Sequence, residues 1–541
     1  MIPPLAARQS RWNAPNPTWL LAALLAWLLA TAWARPLMSP DEGRYGGVAL
    51  AMLHSGDWLV PRLDGLPFFH KPPLFYWIGA AAMSVTGPVE WAARLPSVLG
   101  ASAAAVALYL FLRRWSNERV ALLSALVLVT TPFFFIGAQF ANLDMLVAGC
   151  ISCTVLLGAG AVLARERGEP WRALLAGAWL FAAAGLLAKG LIGLVLPAMV
   201  IVAWCAATRR PAALKLALWL PGWAVLLAVA GPWFVAMQMK YPEFFDYFVV
   251  TQHFRRFASS GFNNEHGFWF YLPVIAGLTL PWFAWVLVPQ GKSAARAASK
   301  ESTEGSEAEA DALRHRRLLR DVDWLMVIWL VVVVVFFSLP RSKLVGYVLP
   351  ALPPLAYLIA RRVCAARALG LKVRATAMGS AAVCVACVFA VAAYQQPPGT
   401  RLRLPPGQAV APGERVLMLD SYYYEIPFYW NLREPVLVSD DWQAAARDPR
   451  DNWRKEMSDA GRFEPARAAA TLLQRTRLAA TLCVPRTTWI VGPNTAHLAN
   501  PWLLKAQLVA VNDGAAAWRF AGSATSDMHC LDAPAAAAPS D

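Results

Sequence analysis

Long apolar runs recur between Pro17 and Tyr394, and they constrain this chain more than any other feature of its sequence. A helix that spans a bilayer needs about 20 consecutive apolar residues and must satisfy its own backbone hydrogen bonds. The 541 residues are 58% hydrophobic and 15% charged, whereas a soluble protein carries about 25% charged residues. The sequence therefore predicts an α-helical polytopic membrane protein. Its net charge of +15 does not indicate nucleic acid binding, because most basic residues fall in loops between apolar runs.

Eleven runs are predicted to span the membrane, and the aromatic loops leave room for one or two more, which gives about 11–13 transmembrane helices. A further apolar run, Pro73–Thr86, is short and interrupted, so we expect it to lie in the interface or to re-enter. The predicted spans are Pro17–Ala34, Leu95–Leu112, Val120–Ile136, Met145–Leu163, Ala173–Leu187, Leu191–Ala207, Leu216–Met237, Phe268–Val288, Trp324–Leu339, Val345–Ile359 and Ala375–Tyr394.

Lys and Arg residues predict the orientation of these spans. If the N-terminus is cytoplasmic and the spans alternate from there, every cytoplasmic segment is basic, as the positive-inside rule requires. The long polar segment Gly291–Asp321 is one of them. The transmembrane domain is thus predicted to cover residues 1–395, with outer loops at 36–92 and 238–267.

No spanning run follows Tyr394, and the charge rises. Strand-like pieces alternate with helical patterns such as Pro465–Arg475, which predicts a soluble α/β domain over 396–541, outside the cell membrane. Cys483 and Cys530 lie in this domain, where an oxidising compartment permits a disulfide. Their geometry stays open. The predicted strands are Val416–Leu419, Val436–Val438, Trp489–Val491 and Leu508–Val511.

The outer loops should be poor in cations, so the cations that they do carry are informative. The simplest interpretation is that each long side chain extends from the end of a span into the membrane–water interface. That interpretation weakens when separate loops all carry one, and convergent cations beside a bilayer favour an anionic head group, most simply a phosphate. These cations are Arg44, Arg62, Lys71, Lys189, Lys240, Arg255, Arg256, Arg341 and Lys343.

Acidic residues on the outer side are equally few. Asp41 and Glu42 follow Pro40 just after the first span, and Asp144 starts a later one. The simplest explanation of each acid is a favourable charge at a helix N-terminus. Capping requires only one short acid, however, and the second acid and the adjacent Arg44 make a functional site the stronger hypothesis.

Histidines on the outer side supply ligands of the type that zinc prefers. They are His70, His253 and His266, with Glu265 beside the last. They lack a tight spacing motif, and isolated loop histidines usually make ordinary hydrogen bonds. A metal site at His70 or His253 is therefore the weaker alternative, and its role would be structural.

Several motifs, in order, carry a resemblance to a known family. The chain resembles the polyprenyl-phosphate-sugar-dependent membrane glycosyltransferases of the GT-C fold class, which are similar to protein mannosyltransferases. Within that family it is most similar to the bacterial aminoarabinose transferases that modify lipid A. The match covers about residues 15–395. Its motifs are Asp41-Glu42-Gly43-Arg44-Tyr45, Ser55-Gly56-Asp57-Trp58-Leu59-Val60-Pro61, Phe69-His70-Lys71-Pro72-Pro73 through Tyr76-Trp77, Arg94-Leu95-Pro96-Ser97, Leu143-Asp144, Lys189-Gly190, His253-Phe254-Arg255-Arg256-Phe257 and Lys343-Leu344 with Tyr347-Val348-Leu349-Pro350.

The resemblance implies transfer of 4-amino-4-deoxy-L-arabinose from undecaprenyl phosphate to lipid A, a lipopolysaccharide modification linked to polymyxin resistance. It implies a monomer in the bacterial inner membrane, among membrane lipids, with a periplasmic active site and no required cofactor; a structural zinc ion is the alternative. The family commonly has Glu where this chain has His70, which puts a carboxylate role there in doubt. The exact sugar and acceptor stay open.

Residue roles follow from the same resemblance. The donor phosphate is expected to bind to Lys71, Arg256, Lys343 and Tyr347. The catalytic candidates are Asp41, Glu42 and Asp144. The acceptor or the sugar is expected to contact Arg44, Tyr45 and Lys189. Asp41 would stabilise the positively charged sugar, orient the acceptor or bind the sugar's ammonium group, and the sequence does not separate these roles.

Two other functions fit the sequence less well. A related enzyme would move a neutral hexose such as mannose to a protein or glycan, and its acceptor hydroxyl would need a base, for which Asp41 is the candidate. A lipid transporter should show inverted repeats or charges near mid-membrane. This chain instead carries its charges at the edges of the spans.

Overall fold

The structure is a computed structural model that describes residues 17–255, 264–288, 307–366, 370–394, 399, 402–447, 452–522 and 531. Its membrane region is helical, and its C-terminal region contains a mixed sheet. Helices α1 to α14 are Pro17–Leu29, Asp41–Ser55, Leu74–Thr86, Glu90–Trp115, Glu118–Thr130, Pro132–Ala138, Leu143–Glu166, Arg172–Lys189, Ile192–Ala207, Leu220–Lys240, Tyr271–Leu278, Glu307–Ser338, Leu352–Ala365 and Gly370–Tyr394. Short 3-10 helices cover Pro211–Leu218, Trp282–Val286 and Val345–Ala351, and a π-helix covers Asp246–Arg255.

The chain is a multi-span membrane protein. Among the described residues, seven helical segments are long and apolar enough to cross a bilayer, and α5 with α6, bent by 65°, makes an eighth. These eight correspond to eight of the eleven predicted spans. Three shorter apolar helices, α1, α3 and α9, have 13, 13 and 16 residues.

One predicted span, Phe268–Val288, is not a continuous helix. The structure has α11 up to Leu278 and a separate 3-10 helix from Trp282. Pro281 lies in the break, and proline disfavours a helical conformation of the residue before it. Apolar content alone could not reveal this interruption. The first predicted span also ends early, at Leu29.

Helix α7 lies at the centre of the membrane region, and 89% of its most apolar 18-residue stretch is buried. It lies against α4 and α8. The contact with α4 depends on two glycines, because a Cβ atom on Gly149 would lie 2.2 Å from the carbonyl oxygen of Gly100. Small residues allow helix backbones to approach this closely in a membrane, where apolar burial drives no association. This packing fixes the N-terminal ends of α4 and α7, which carry Arg94 and Asp144.

The C-terminal region folds around a six-stranded sheet, as the alternating pattern predicted. The strand order is β5-β4-β3-β6-β8-β7, with parallel pairing from β5 to β6 and antiparallel pairing beyond. Four strands were predicted, whereas the short β5 and the alanine-containing β8 were missed. Cys483 is disulfide-bonded, and Cys530 lies outside the described residues. Strands β3 to β8 are Arg415–Leu419, Leu437–Asp440, Leu472–Gln474, Thr488–Gly492, Gln507–Val511 and Ala516–Phe520.

A hairpin from the loop between α2 and α3 docks onto this α/β region. Its strands β1, Arg62–Leu63, and β2, Leu66–Pro67, pair antiparallel. Both terminal guanidinium nitrogens of Arg62 donate to the Glu464 carboxylate at 3.0 Å. The backbone amide of Val436 donates to Asp64 Oδ1 at 2.8 Å. The two regions are thus joined by charged and backbone contacts at one end of the membrane helices.

Candidate active site

Helix α2 places two adjacent acids in different surroundings. It begins at Asp41 after Pro40, and no side chain caps its first turn. Successive residues of a helix point about 100° apart. Asp41 therefore faces a cavity, while Glu42 points into the protein.

The Glu42 carboxylate is completely buried and held by two guanidinium groups. Arg94 donates to it at 2.8 and 3.1 Å, and Arg35 donates from both terminal nitrogens. The backbone amides of Met38 and Ala141 add bonds of 3.0 and 2.8 Å. Burial alone would raise the pKa of the Glu42 carboxyl, but the two arginines lower it to about 2. Glu42 was predicted as a catalytic residue; the structure does not bring it to the cavity, because these bonds hold its carboxylate in the interior.

A cavity of about 1020 Å³ lies where α2, the loop between α2 and α3, the ends of several spans and the α/β region meet. Eight of the predicted site residues line it together: Asp41, Arg44, Tyr45, His70, Lys71, Asp144, Lys189 and Tyr347. Segments that are distant in the sequence thus meet at one cavity.

One wall of the cavity is apolar and belongs to the membrane helices. It includes Val147 and Ile151 of α7, and Phe336 and Phe337 near the end of α12. Charged side chains and this apolar wall share a single space. The arrangement suits a lipid whose polar head carries negative charge.

Asp144 and Lys189 form an ion pair at the edge of the cavity, in which Lys189 Nζ donates to Asp144 Oδ1. The Asp144 carboxylate also packs on the backbone of Gly346, where an added Cβ atom would lie 2.5 Å from Oδ2. Lys189 Nζ lies 4.5 Å from the centre of the Tyr347 ring. These contacts orient three predicted residues as one unit and partly neutralise Lys189.

Asp41 is less strongly neutralised. Its Oδ1 lies 3.6 Å from Arg44 Nη1, and its Oδ2 accepts a long bond of 3.5 Å from Asn142 Nδ2. The side chain keeps 36% of its accessible surface, which faces the cavity. The surrounding protein raises the pKa of the Asp41 carboxyl by desolvation, and the nearby Asp144 raises it further, against the opposing effect of Arg44.

Lys343, a predicted donor-binding residue, does not line the cavity. Lys343 is 3% exposed, and its Nζ donates to the backbone carbonyls of His266, at 2.8 Å, and of Pro340. Burial lowers the pKa of the Lys343 ammonium group. Lys343 thus anchors its own loop, and its predicted role at the phosphate stays a prediction. Arg256 lies outside the described residues, so its predicted role stays a prediction.

The structural zinc ion also stays a prediction. Within the described parts of the chain, no group of three or more His, Cys, Asp or Glu residues is arranged to hold a metal ion. His70 instead stacks on Phe68, with ring centres 4.8 Å apart, and faces a carboxylate. The side chain of His253 is outside the description.

The α/β region contributes a wall of the cavity that the sequence did not predict. Ser421, Tyr422 and Tyr424 follow the carboxyl end of β3, where parallel sheets commonly bind ligands. Asn452 and Glu456, with Trp453, come from the helix Trp453–Gly461 and its N-cap. No local signal marks these residues, because their role depends on how two regions dock.

Fold and site together define a membrane protein with the glycosyltransferase GT-C fold. A solved structure, ArnT from Cupriavidus metallidurans bound to undecaprenyl phosphate, superimposes with a TM-score of 0.73. The alignment covers 93% of this chain and 97% of that protein at 22% identity. The fold predicted from the motifs is confirmed.

Sequence comparison gives a related result. The family model described as dolichyl-phosphate-mannose-protein mannosyltransferase matches residues 70–235. The undecaprenyl phosphate-alpha-4-amino-4-deoxy-L-arabinose arabinosyl transferase of Aeromonas salmonicida is 32% identical over 334 residues, which are 60% of this chain and 56% of the relative. The arabinosyl transferase 1 of the same description from Sodalis glossinidius is 34% identical, over 60% of this chain and 55% of that relative. The chain thus spans little more than half the length of these curated relatives, and the resemblance seen in the motifs is confirmed over that part.

Proposed function

We propose that this chain is a glycosyltransferase that moves 4-amino-4-deoxy-L-arabinose from undecaprenyl phosphate to a phosphate group of lipid A. The names of its relatives and the ligand of the structural neighbour support the donor and the sugar. The observation that carries the proposal is the cavity itself, in which lysines and carboxylates meet an apolar wall of membrane helices. Such a space fits a sugar on a lipid phosphate.

In this reaction the bond between the anomeric carbon and the donor phosphate oxygen breaks, and the phosphate keeps the electron pair. An oxygen of the acceptor phosphate forms the new bond to the same carbon. The acceptor is already ionised near neutral pH, so it requires positioning more than a general base. No cofactor takes part in the proposed step.

Lys71 is the residue that we assign to the leaving phosphate, because it lines the cavity and a fixed cation stabilises developing negative charge strongly in a water-poor site. Arg256 is its proposed partner. Asp41 is assigned to the sugar, since its carboxylate faces the cavity and is incompletely paired. Arg44 and Lys189 would contact the acceptor phosphate while remaining ion-paired with carboxylates.

The proposal places this chemistry on the periplasmic face of the bacterial inner membrane. The Lys and Arg bias supports that side for the cavity and for residues 396–541. Reporter fusions after Ala411 and within Ser302–Glu309 test the orientation. A periplasm-only reporter should be active at the first position and silent at the second; activity at the second would reverse the proposed orientation.

The function is tested by mass spectrometry of lipid A from a strain that makes the donor but lacks its own transferase. Expression of this chain should add one or more pentosamine units to lipid A phosphate, and the Asp41→Ala variant should not. Unchanged lipid A with well-expressed wild-type chain would contradict the proposal.

The second candidate is transfer of a hexose from a polyprenyl phosphate to a protein or glycan. It is favoured by the mannosyltransferase family model that matches residues 70–235. The same cells distinguish the two. A new hexose on protein, with lipid A unmodified, would select this alternative, in which Asp41 would act as the base for an acceptor hydroxyl.

A further inference from the structure

Glu456 links the α/β region to the catalytic surface of the membrane region. It is 4% exposed, lies in the helix Trp453–Gly461, and lines the cavity. Its Oε1 is 3.3 Å from Arg44 Nε and 3.6 Å from His70 Nδ1. Its Oε2 accepts a hydrogen bond of 2.5 Å from the Tyr424 hydroxyl. One buried carboxylate therefore contacts two cavity residues from different outer segments.

The surroundings of Arg44 make this contact specific. The guanidinium carbon lies 4.9 Å from the centre of the Tyr424 ring, so a second residue of the α/β region also packs on it. One residue away, Gly43 allows the backbones to meet, because a Cβ atom there would lie 2.8 Å from the Glu425 nitrogen. The first turn of α2 and the loop after β3 are thus packed directly together beside the cavity.

We propose that Glu456 is a positioning residue for transfer, and that it holds Arg44 and His70 in the cavity wall from the α/β region. The inference rests on the proposed function, because its main measurement is the transfer reaction. A carboxylate that is hydrogen-bonded to Tyr424 and ion-paired with Arg44 acts through those residues and not on the substrate. The α/β region then completes the active site, in addition to covering it.

A second carboxylate of the α/β region provides a matched control. Glu464 makes a two-point ion pair with Arg62 at 3.0 Å. It also accepts a hydrogen bond of 2.6 Å from the Tyr241 hydroxyl. It also joins the α/β region to an outer loop of the membrane region, but it does not line the cavity. Glu464→Gln weakens docking without disturbing the cavity wall, whereas Glu456→Gln disturbs that wall directly.

The test measures kcat, the KM for the lipid-linked donor and the melting temperature of the purified full chain. Misplacing a catalytic group by about 1 Å reduces rates by about 100-fold, so Glu456→Gln should lower kcat by about 10–100-fold. Its donor KM should stay near that of the wild type, because Lys71 is untouched. Glu464→Gln should lower the melting temperature and leave kcat near that of the wild type. Equal losses of kcat in the two variants, or none in Glu456→Gln, would overturn the inference.

A charge exchange covers the case in which the single variant folds poorly. His70→Glu combined with Glu456→His keeps one carboxylate and one imidazole across the same contact. The double variant should recover about tenfold or more of the kcat lost by Glu456→His alone, since residues in contact show non-additive effects. Purely additive losses would overturn the inference. Inactive wild-type chain would instead count against the proposed function, which keeps the two failures separate.

Discussion

Asp41 and Glu42 are neighbours in the first turn of α2, yet their carboxylates have opposite environments. Glu42 is wholly buried between Arg35 and Arg94, while Asp41 keeps 36% of its surface toward the cavity and has only long contacts. The pKa of the Glu42 carboxyl is lowered to about 2, and the pKa of the Asp41 carboxyl is raised. The comparison teaches that charge at a membrane boundary has two uses. A fully neutralised acid anchors the fold, whereas an incompletely neutralised one is available for chemistry.

Breaking the anchor should have the largest effect. Glu42→Gln leaves two guanidinium groups buried without their counter-charge, and removing one partner of a buried ion pair costs about 3–5 kcal/mol. The purified variant should unfold at a much lower temperature in detergent and should be recovered in poor yield. Transfer would fall because little folded protein remains.

A surface ion pair is the control for that prediction. Arg114 Nη2 lies 2.5 Å from Glu169 Oε2, and the two side chains are 42% and 37% exposed. Exposed pairs contribute only about 0.2–1 kcal/mol, so Glu169→Gln should melt close to the wild type. A similar shift in melting temperature for Glu42→Gln and Glu169→Gln would contradict the assignment of Glu42 as an anchor.

On the cavity side, Lys71→Ala should reduce transfer without unfolding the protein. A lost charge-assisted contact to a phosphate costs about 1.5–3 kcal/mol, and the loss should affect donor binding and the chemical step. Initial rates at several donor concentrations measure it. The control is Lys240→Ala, an exposed cation outside the cavity. Equal losses in the two variants would indicate general electrostatic attraction of the lipid and not a site.

An effect that is smaller per pH unit concerns Asp64, a buried carboxyl that has no arginine partner among the described residues. Burial raises its pKa to about 8, against a backbone hydrogen bond from Val436. An unfolded Asp titrates near pH 3.9, so from about pH 4 to about pH 8 the folded state holds a proton that the unfolded state releases. The free energy of unfolding should therefore fall as pH rises through that window, by at most about 1.4 kcal/mol per pH unit. Stability from this group is complete below the unfolded pKa and is lost above it.

Asp64→Asn should remove this dependence. Asn tolerates the positive φ of 51° at this position and retains an acceptor for the Val436 amide. Melting temperatures of both proteins across the pH range should show a flatter profile for the variant. A wild-type profile that rises with pH in the same way as the variant's would contradict the assignment.

Much of the site could be predicted because its residues follow simple rules. The positive-inside rule and the motifs together selected Lys71 and Lys189, and the structure brings both to the cavity with Asp41 and Asp144. The strands β3 and β6 were predicted from apolar runs bounded by turns. These signals are local in sequence, and each depends on properties that a short segment carries by itself.

The rest depends on contacts between distant segments. The sequence could not show that Glu42 is held in the interior, because its partners Arg35 and Arg94 come from before α2 and from α4. Lys343 was expected at the phosphate, but backbone carbonyls of its own loop engage it. Glu456 had no signal at all, since only docking of the α/β region brings it to Arg44.

The most direct test of the central claim compares Asp41→Asn and Glu42→Gln, each purified at matched protein level, by melting temperature and by transfer per folded molecule. Asp41→Asn should melt like the wild type and lose nearly as much transfer as Asp41→Ala, because the negative charge itself acts on the sugar. Glu42→Gln should show the reverse, with low stability and substantial transfer in whatever folded protein remains. Near-normal transfer by Asp41→Asn would contradict the account, because Asn supports a helix N-terminus as well as Asp does and only the charge would have been lost.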